Sequence, residues 1–242
     1  LRELLAGRRG VSWFGAAAGF HVRNGAVHER TGRKVAVPPP ELPGRHNLLN
    51  LCAALSLADM VGVRHPDLPG ALGSFRGLPH RLQRLGRRGG LAFYDDSMAT
   101  TPVATLAALE ALSGRRITLI FGGQRQDIDW TKPIEQLRGR NLHAMIAIPD
   151  SGPEIAALAR SKGVRPVAGI HATGGLAEAV RLATELSAPG GTVLLSPGAP
   201  SFPRFRDFAD RGDQFAGLAG FARDDDNGRP GRGQKEEIAG QG

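Results

Sequence analysis

The sequence predicts an α/β protein whose larger part is a doubly wound domain, and three observations carry that expectation. From Arg81 onward, short apolar strands alternate with helical stretches, the pattern of a sheet with helices on both faces. The runs at 117–121 and 193–195 are apolar without strict alternation, as interior strands of a parallel sheet are. The segment Arg76-Gly77-Leu78-Pro79 breaks the chain between this region and a first part of different pattern. The expected division is residues 1–76, a doubly wound domain at 77–222, and a tail at 223–242.

Taken in order, residues 9–37 read as short strands at 11–15, 20–23 and 34–37, bounded by Gly, Asn and Pro. Asn24-Gly25 is a two-residue hairpin signal. Pro38-Pro39-Pro40 ends this region, and 46–61 then reads as a helix with Leu48, Leu51, Leu55 and Leu57 near one face. A second helical stretch is expected at about 66–74. In the larger domain the expected strands are 82–85, 91–94, 117–121, 144–148, 164–167 and 193–195. The expected helices are 102–112, 134–137, 153–161, 175–186 and 205–218. From Asp224 the chain is charged, Gly-rich and poor in apolar residues, a composition that predicts disorder.

Composition narrows the function classes. No apolar run reaches the length of a membrane span, and the first residues lack the apolar core of a signal peptide. The single cysteine, Cys52, excludes an internal disulfide and fits a reducing cytoplasm; its apolar neighbours make it a small core residue. The net charge is +8, carried by scattered arginines. Only 5% of residues are aromatic and none interleaves with the basic pairs, so sites for small anions account for the charge better than a nucleic-acid platform does.

Five segments carry chemistry. In Gly44-Arg45-His46-Asn47-Leu48-Leu49-Asn50, Asn47 and Asn50 share a helix face; they suit the edge of adenine, or one of them caps the helix. In Gly77-Leu78-Pro79-His80-Arg81, the arginine is either a phosphate clamp at a domain junction or a linker side chain, and His80 is a packing group. Asp95-Asp96-Ser97-Met98-Ala99-Thr100-Thr101-Pro102 follows a strand and opens a helix. Its carboxylates suit ribose hydroxyls and its helix N-terminus suits a carboxylate; equally, it is an ordinary turn with Thr101 as cap. Gly122-Gly123-Gln124-Arg125-Gln126 allows close backbone approach after a buried strand. Finally, Ser196-Pro197-Gly198-Ala199-Pro200-Ser201-Phe202 with Phe208 to Phe215 offers a hydroxyl and N–H groups, for a carboxylate or for capping.

These segments, in this order, resemble those of Mur ligases, and among them the MurD-type glutamate ligases. The first is similar to their H-N-x-x-N element, the second to their interdomain hinge, and the third to the D-S-K-A-T-N loop. The fourth is similar to L-G-G-D-G-K and the last to S-P-A-x-A-S-x-D-x-F-x-x-F-x-x-R-G-x-x-F. The resemblance covers about 11–222. It implies a C-terminal Rossmann-like Mur ligase domain that binds glutamate, preceded by the tail end of the central ATPase domain. By the same resemblance Asn47, Asn50, Arg81 and Asp96 contact the nucleotide, and Thr100, Arg125, Gln126, Ser201, Phe202 and Phe208 surround glutamate. The implied reaction is ATP-dependent ligation of glutamate to UDP-N-acetylmuramoyl-L-alanine through an acyl phosphate, with Mg²⁺, in a cytoplasmic monomer of peptidoglycan precursor synthesis.

The chain departs from the family pattern in three ways. It has no G-x-x-x-x-G-K-[ST] phosphate loop; the resemblance then implies that this loop, the Mg²⁺ ligands and the UDP-binding domain lie upstream of Leu1. On that expectation no residue here is the acyl-phosphate catalyst, and the chain alone does not ligate. Met98 and Gln126 stand where D-glutamate ligases of this type have lysines. Together with Asp129-Trp130 and the Asp-Ser-x-x-Thr-Thr-Pro loop, this favours a subfamily that uses L-glutamate over one that uses D-glutamate. The competing class is a non-catalytic Mur-like module with a binding or regulatory role.

Overall fold

The computed structural model describes residues 11–36, 44–63, 75 and 77–221. Residues 66–74, where a second helix is expected, and the tail from Asp224 lie outside them.

The first part is a small sheet under a helix. Strands β1 (His21–Arg23), β2 (Ala26–His28) and β3 (Lys34–Ala36) form an antiparallel meander. Asn24 and Gly25 both have positive φ, 49° and 69°, the geometry that an Asn-Gly turn supplies and that matches the twist of the flanking strands. The expected strand at 11–15 reduces to a bridge between Phe14 and Phe20, because the chain turns at Gly15 with φ 74°. Helix α1 (Arg45–Met60) lays Leu48, Cys52 and Leu55 on Phe20 and Val27. That places Cys52 in the core as a small apolar group, with its thiol pKa raised by burial.

The larger part is a six-stranded sheet with helices on both faces. Its strands are β4 (Gln83–Arg88), β5 (Leu91–Asp95), β6 (Ile117–Phe121), β7 (Leu142–Ala147), β8 (Ile170–Ala172) and β9 (Thr192–Leu195). They lie in the order β4-β5-β9-β6-β7-β8, and all neighbours are parallel except the antiparallel edge pair β4–β5. The helices are α2 (Pro102–Ala111), α3 (Thr131–Glu135), α4 (Gly152–Ser161), α5 (Leu176–Leu186) and α6 (Phe208–Leu218).

Alternation along each strand divides the core. Ala92, Tyr94, Leu119, Phe121, Met145 and Leu194 face α2, α3 and α4. Leu91, Phe93, Ile120, Ile146, Val193 and Leu195 face α5 and α6. Every residue of β5, β6 and β9 is buried, which is why their sequences show no polar face. Because β5, β6 and β9 run parallel and adjacent, their C-terminal ends open at one edge.

Three expectations need correction. No strand forms at 164–167. Gly163 (φ 76°) ends α4, and the Val164 N–H donates back to the Ala159 carbonyl (2.9 Å), so the buried Val164 closes a helix terminus. The edge strand is instead β8. The helix expected from 205 starts at Phe208, because the Asp207 side chain caps it by accepting from the Asp210 N–H (2.8 Å). The helix expected at 134–137 is displaced to Thr131–Glu135.

Glycines of α6 separate packing from propensity. A Cβ at Gly212 would run into the His80 ring and the Asp95 carboxylate, whereas one at Gly217 would meet nothing. Gly212→Ala is expected to lower unfolding free energy by about 1–3 kcal/mol, and Gly217→Ala to raise it by about 0.5–1 kcal/mol. Urea denaturation of the two variants checks both signs.

Candidate functional site

The site grows from the loops that leave the parallel strands. The residues after β5 form one wall. Asp95 accepts from His80 Nδ1 (2.7 Å) and from the Ser97 N–H (2.9 Å). Asp96 accepts from the Leu82 N–H (2.9 Å) and from Ser196 Oγ (2.7 Å), the residue just past β9. Adjacent strand residues point to opposite faces, so these neighbours have different surroundings.

Between the loops sits Arg211, on the inner face of α6 with no exposed surface. Its Nε donates to Ser97 Oγ (3.0 Å), one terminal nitrogen to the Ala199 carbonyl (3.0 Å) and the other to the Ser97 carbonyl (2.8 Å). Ser97 Oγ in turn donates to the Phe208 carbonyl (2.7 Å). Burial lowers the guanidinium pKa to about 10, and the nearby Asp95 charge works against that fall. The group is therefore a cation at neutral pH. Gly123, after β6, packs its backbone on the same guanidinium at φ 146°, where a Cβ would strike Pro200 and Arg211.

Charge sets the ionisation of the first wall. Burial pushes Asp96 up to about 7; its two donors and Arg81 pull the other way, and the neighbouring Asp95 adds to the rise. Its hydrogen bond with Asp95 raises His80 against a smaller desolvation effect, with Asp213 and Asp207 adding to the rise. Burial lowers His46, and the Arg81 charge lowers it further. The exposed Arg81 thus lies between the start of α1 and Asp96, in electrostatic reach of both.

Four of the ten candidate residues accordingly come from two neighbouring places. Asn47 and Asn50 stand on the first turns of α1, with Asn47 half-buried and Asn50 exposed. Neither caps that helix: Gly44 holds the N-cap position without a side-chain bond. Arg81 precedes β4 and Asp96 follows β5, with Arg81 in electrostatic reach of Asp96 and of His46 on α1.

The other six are spread along the same edge. Arg125 and Gln126 line a cavity of about 240 Å³ with Trp130, Ser151, Glu154 and Ala199. Arg125 pairs there with Glu154. Thr100 is half-buried, and its neighbour Thr101 caps α2 by accepting from the Ala104 N–H (3.4 Å). Ser201 is buried but does not cap α6, where Asp207 does so. Phe202 is 61% exposed. Phe208 lies edge-on to His80, 6.1 Å between ring centres, on the Asp95 side.

Sequence reasoning left Arg211, Ser151 and Glu154 without a role. A signal for Arg211 was present: it falls on the stripe Phe208, Arg211, Phe215, and an arginine on a buried helix face needs a reason. The resemblance implies Mg²⁺, but among the described residues no three His, Cys, Asp or Glu come together to hold a metal. No helix among them is long and apolar enough to cross a membrane.

Two outcomes follow from this geometry. Arg211→Met removes a buried cation and leaves two carbonyls without their donor, so unfolding free energy should fall by about 3–5 kcal/mol in a chemical denaturation series. For Asp96, the folded pKa lies above the unfolded value of 3.8, so the folded chain keeps a proton that the unfolded chain has lost. Its stabilisation is full below about pH 3.8 and disappears as pH rises through about 7. His80, raised from 6.5, carries the same sign at higher pH. Asp96→Asn keeps the shape, so the stability difference between wild type and variant should shrink by on the order of 2–4 kcal/mol between pH 4 and pH 8. A pH-independent difference would rule this out.

Comparison with known proteins agrees with the fold. Residues 80–199 match the family model for the Mur ligase, glutamate ligase domain. A UDP-N-acetylmuramoyl-L-alanine--L-glutamate ligase of Xanthomonas euvesicatoria pv. vesicatoria (strain 85-10) is 40% identical over 212 residues, 87% of this chain and 45% of that protein. A ligase of the same name from Xylella fastidiosa (strain Temecula1 / ATCC 700964) is 39% identical over 229 residues, 91% of this chain and 47% of the relative. The chain spans about half the length of the curated relatives it matches. Among solved structures, the MurF ligase of Thermotoga maritima in complex with ADP superposes with a TM-score of 0.56 at 14% identity, covering 83% of this chain and 44% of that one. A folylpolyglutamate synthase of Mycobacterium tuberculosis superposes equally well, at 17% identity over 81% of this chain and 43% of that one. With its doubly wound sheet and the matched domain at 80–199, the chain belongs to the Mur ligase family.

Proposed function

We propose that this chain is the glutamate-delivering part of an ATP-dependent ligase that joins L-glutamate to UDP-N-acetylmuramoyl-L-alanine in peptidoglycan precursor synthesis. The observation that carries the reading is the match at about 40% identity to ligases named for that substrate pair. On this reading residues 1–76 belong to the end of the ATP-binding domain and 77–222 are the glutamate domain.

In the proposed reaction the alanine carboxylate takes the γ-phosphoryl group of ATP and releases ADP. The glutamate amine then attacks the acyl phosphate, the amide forms and phosphate leaves. The described residues supply positioning to this chemistry. Asn47 and Asn50 suit the adenine edge, Asp96 the ribose hydroxyls and Arg81 the phosphates. Both oxygens of Asp96 already accept one hydrogen bond, and each keeps a further lone pair for a hydroxyl. Thr100, Ser201, Phe202 and Phe208 stand with Arg125 and Gln126 as the candidates for glutamate contact.

Two features support L-glutamate over D-glutamate. Met98 and Gln126 leave the loops after β5 and β6 without lysines, and the cation lining the cavity is Arg125. The relatives at 39–40% identity are named for the L-enantiomer.

The test uses the enzyme that contains this chain, with ATP, Mg²⁺, UDP-N-acetylmuramoyl-L-alanine and each glutamate enantiomer. Amide formation with L-glutamate should exceed that with D-glutamate by at least about tenfold in kcat/KM. Arg81→Ala should raise the KM for ATP by about tenfold or more and leave that for glutamate near its original value. Preference for D-glutamate would overturn the stereochemical assignment. Absence of any glutamate-dependent ADP release would favour a non-catalytic module.

A further inference from the structure

We infer that the first turn of α4, floored by the Ser151 hydroxyl, receives the side-chain carboxylate of the incoming amino acid, and that Glu154 holds Arg125 until that carboxylate arrives. This rests on the glutamate reading above and adds residues that the reading leaves without a role.

Ser151 is the reason to look here. It occupies the N-cap position of α4, where a serine ordinarily accepts from a first-turn N–H. Here its side chain makes no capping bond. The residue is only 7% exposed, and among the described residues its Oγ is the buried side-chain polar atom without a hydrogen-bond partner. A buried hydroxyl of this kind calls for an explanation, and an acceptor that is present only part of the time supplies one. Ser151 lines the 240 Å³ cavity together with Arg125 and Glu154.

The surroundings select a carboxylate. The first-turn N–H groups of a helix lack intrahelical acceptors and favour an anion. Pro153 has no N–H, so Gly152 and Glu154 are the donors of that turn. Arg125 on the loop after β6 provides a planar cation, and its present partner is itself a carboxylate, Glu154. Both side chains are more than half exposed, so exchanging one carboxylate for another costs little. The Trp130 ring, packed over Gly198, gives an apolar side for the methylenes. At about 240 Å³ the cavity is smaller than sites for drug-sized ligands, which suits an amino acid.

Glu154 is then a competitor, and its removal should help binding. The test is a titration of the ¹⁵N-labelled chain with L-glutamate, followed at the Gly152 and Glu154 amides and the Trp130 indole N–H. Saturable shifts are expected at all three, with L-glutamine weaker because its side chain is uncharged. Glu154→Gln should tighten binding by about fivefold, and adding Arg125→Gln to it should abolish the gain. Ser151→Ala should weaken binding by about fivefold, with the rest of the spectrum unchanged. A merely structural role for Glu154 predicts no gain, and that result would overturn the inference. Glutamate shifts confined to Thr100 and Ser201 would overturn it and leave the ligase reading intact. Shifts at α4 without glutamate ligation by the enzyme containing this chain would keep the receptor and defeat the ligase reading.

Discussion

The buried Arg211 guanidinium is the constraint on which this edge depends. Three loops leave parallel strands here, after β5, β6 and β9, and each must turn its backbone away from the sheet. Their carbonyls cannot all be satisfied by strand pairing. One side chain from α6 donates to Ser97 and Ala199 and packs on Gly123, so a single rigid fork fixes three loops at once. A lysine could reach one of these acceptors but could not hold several in a plane. Because the fork has no exposed surface, water does not compete for its bonds.

Two adjacent aspartates meet different surroundings at this edge. Asp95 accepts from His80 and lies close to Arg211. Asp96 points the other way, into a place where a serine hydroxyl and one backbone N–H must replace water. These do not offset the cost of burial, and its proton affinity rises. The result is a side chain fixed by His80 and the Ser97 N–H beside a carboxyl whose proton affinity burial raises.

Much of the fold was legible in the residues. Asn24-Gly25 specified a hairpin because few other residues accept positive φ twice in succession. The uninterrupted apolar runs of β6 and β9 signalled strands covered on both faces. Where the reading failed, a tertiary or capping contact had overridden a local pattern. Val164 is apolar and β-branched, yet it closes a helix terminus. Phe205 extends an apolar period, yet Asp207 takes the cap. The candidate site was legible to the extent that its residues lie in contiguous loops. That Arg125 pairs with Glu154, and that Phe208 leans on His80, depends on how α4 and α6 pack. No spacing in the sequence reports that packing.

The sequence by itself determined the α/β class, the loops that carry polar groups, and the kinship of those loops with the Mur ligases. It could do so because strand burial, turn chemistry and motif order are local properties. The tertiary structure alone decided which of those polar groups are anchors and which are free to act. The three residues Asp95, Asp96 and Ser97 are consecutive, and composition cannot rank them. Only the position of Arg211, more than a hundred residues away in the chain, makes Ser97 part of a buried fork. Likewise Ser151 has the sequence of an ordinary helix cap, and only the fold places its buried, unpaired hydroxyl on the cavity that Arg125 and Glu154 also line.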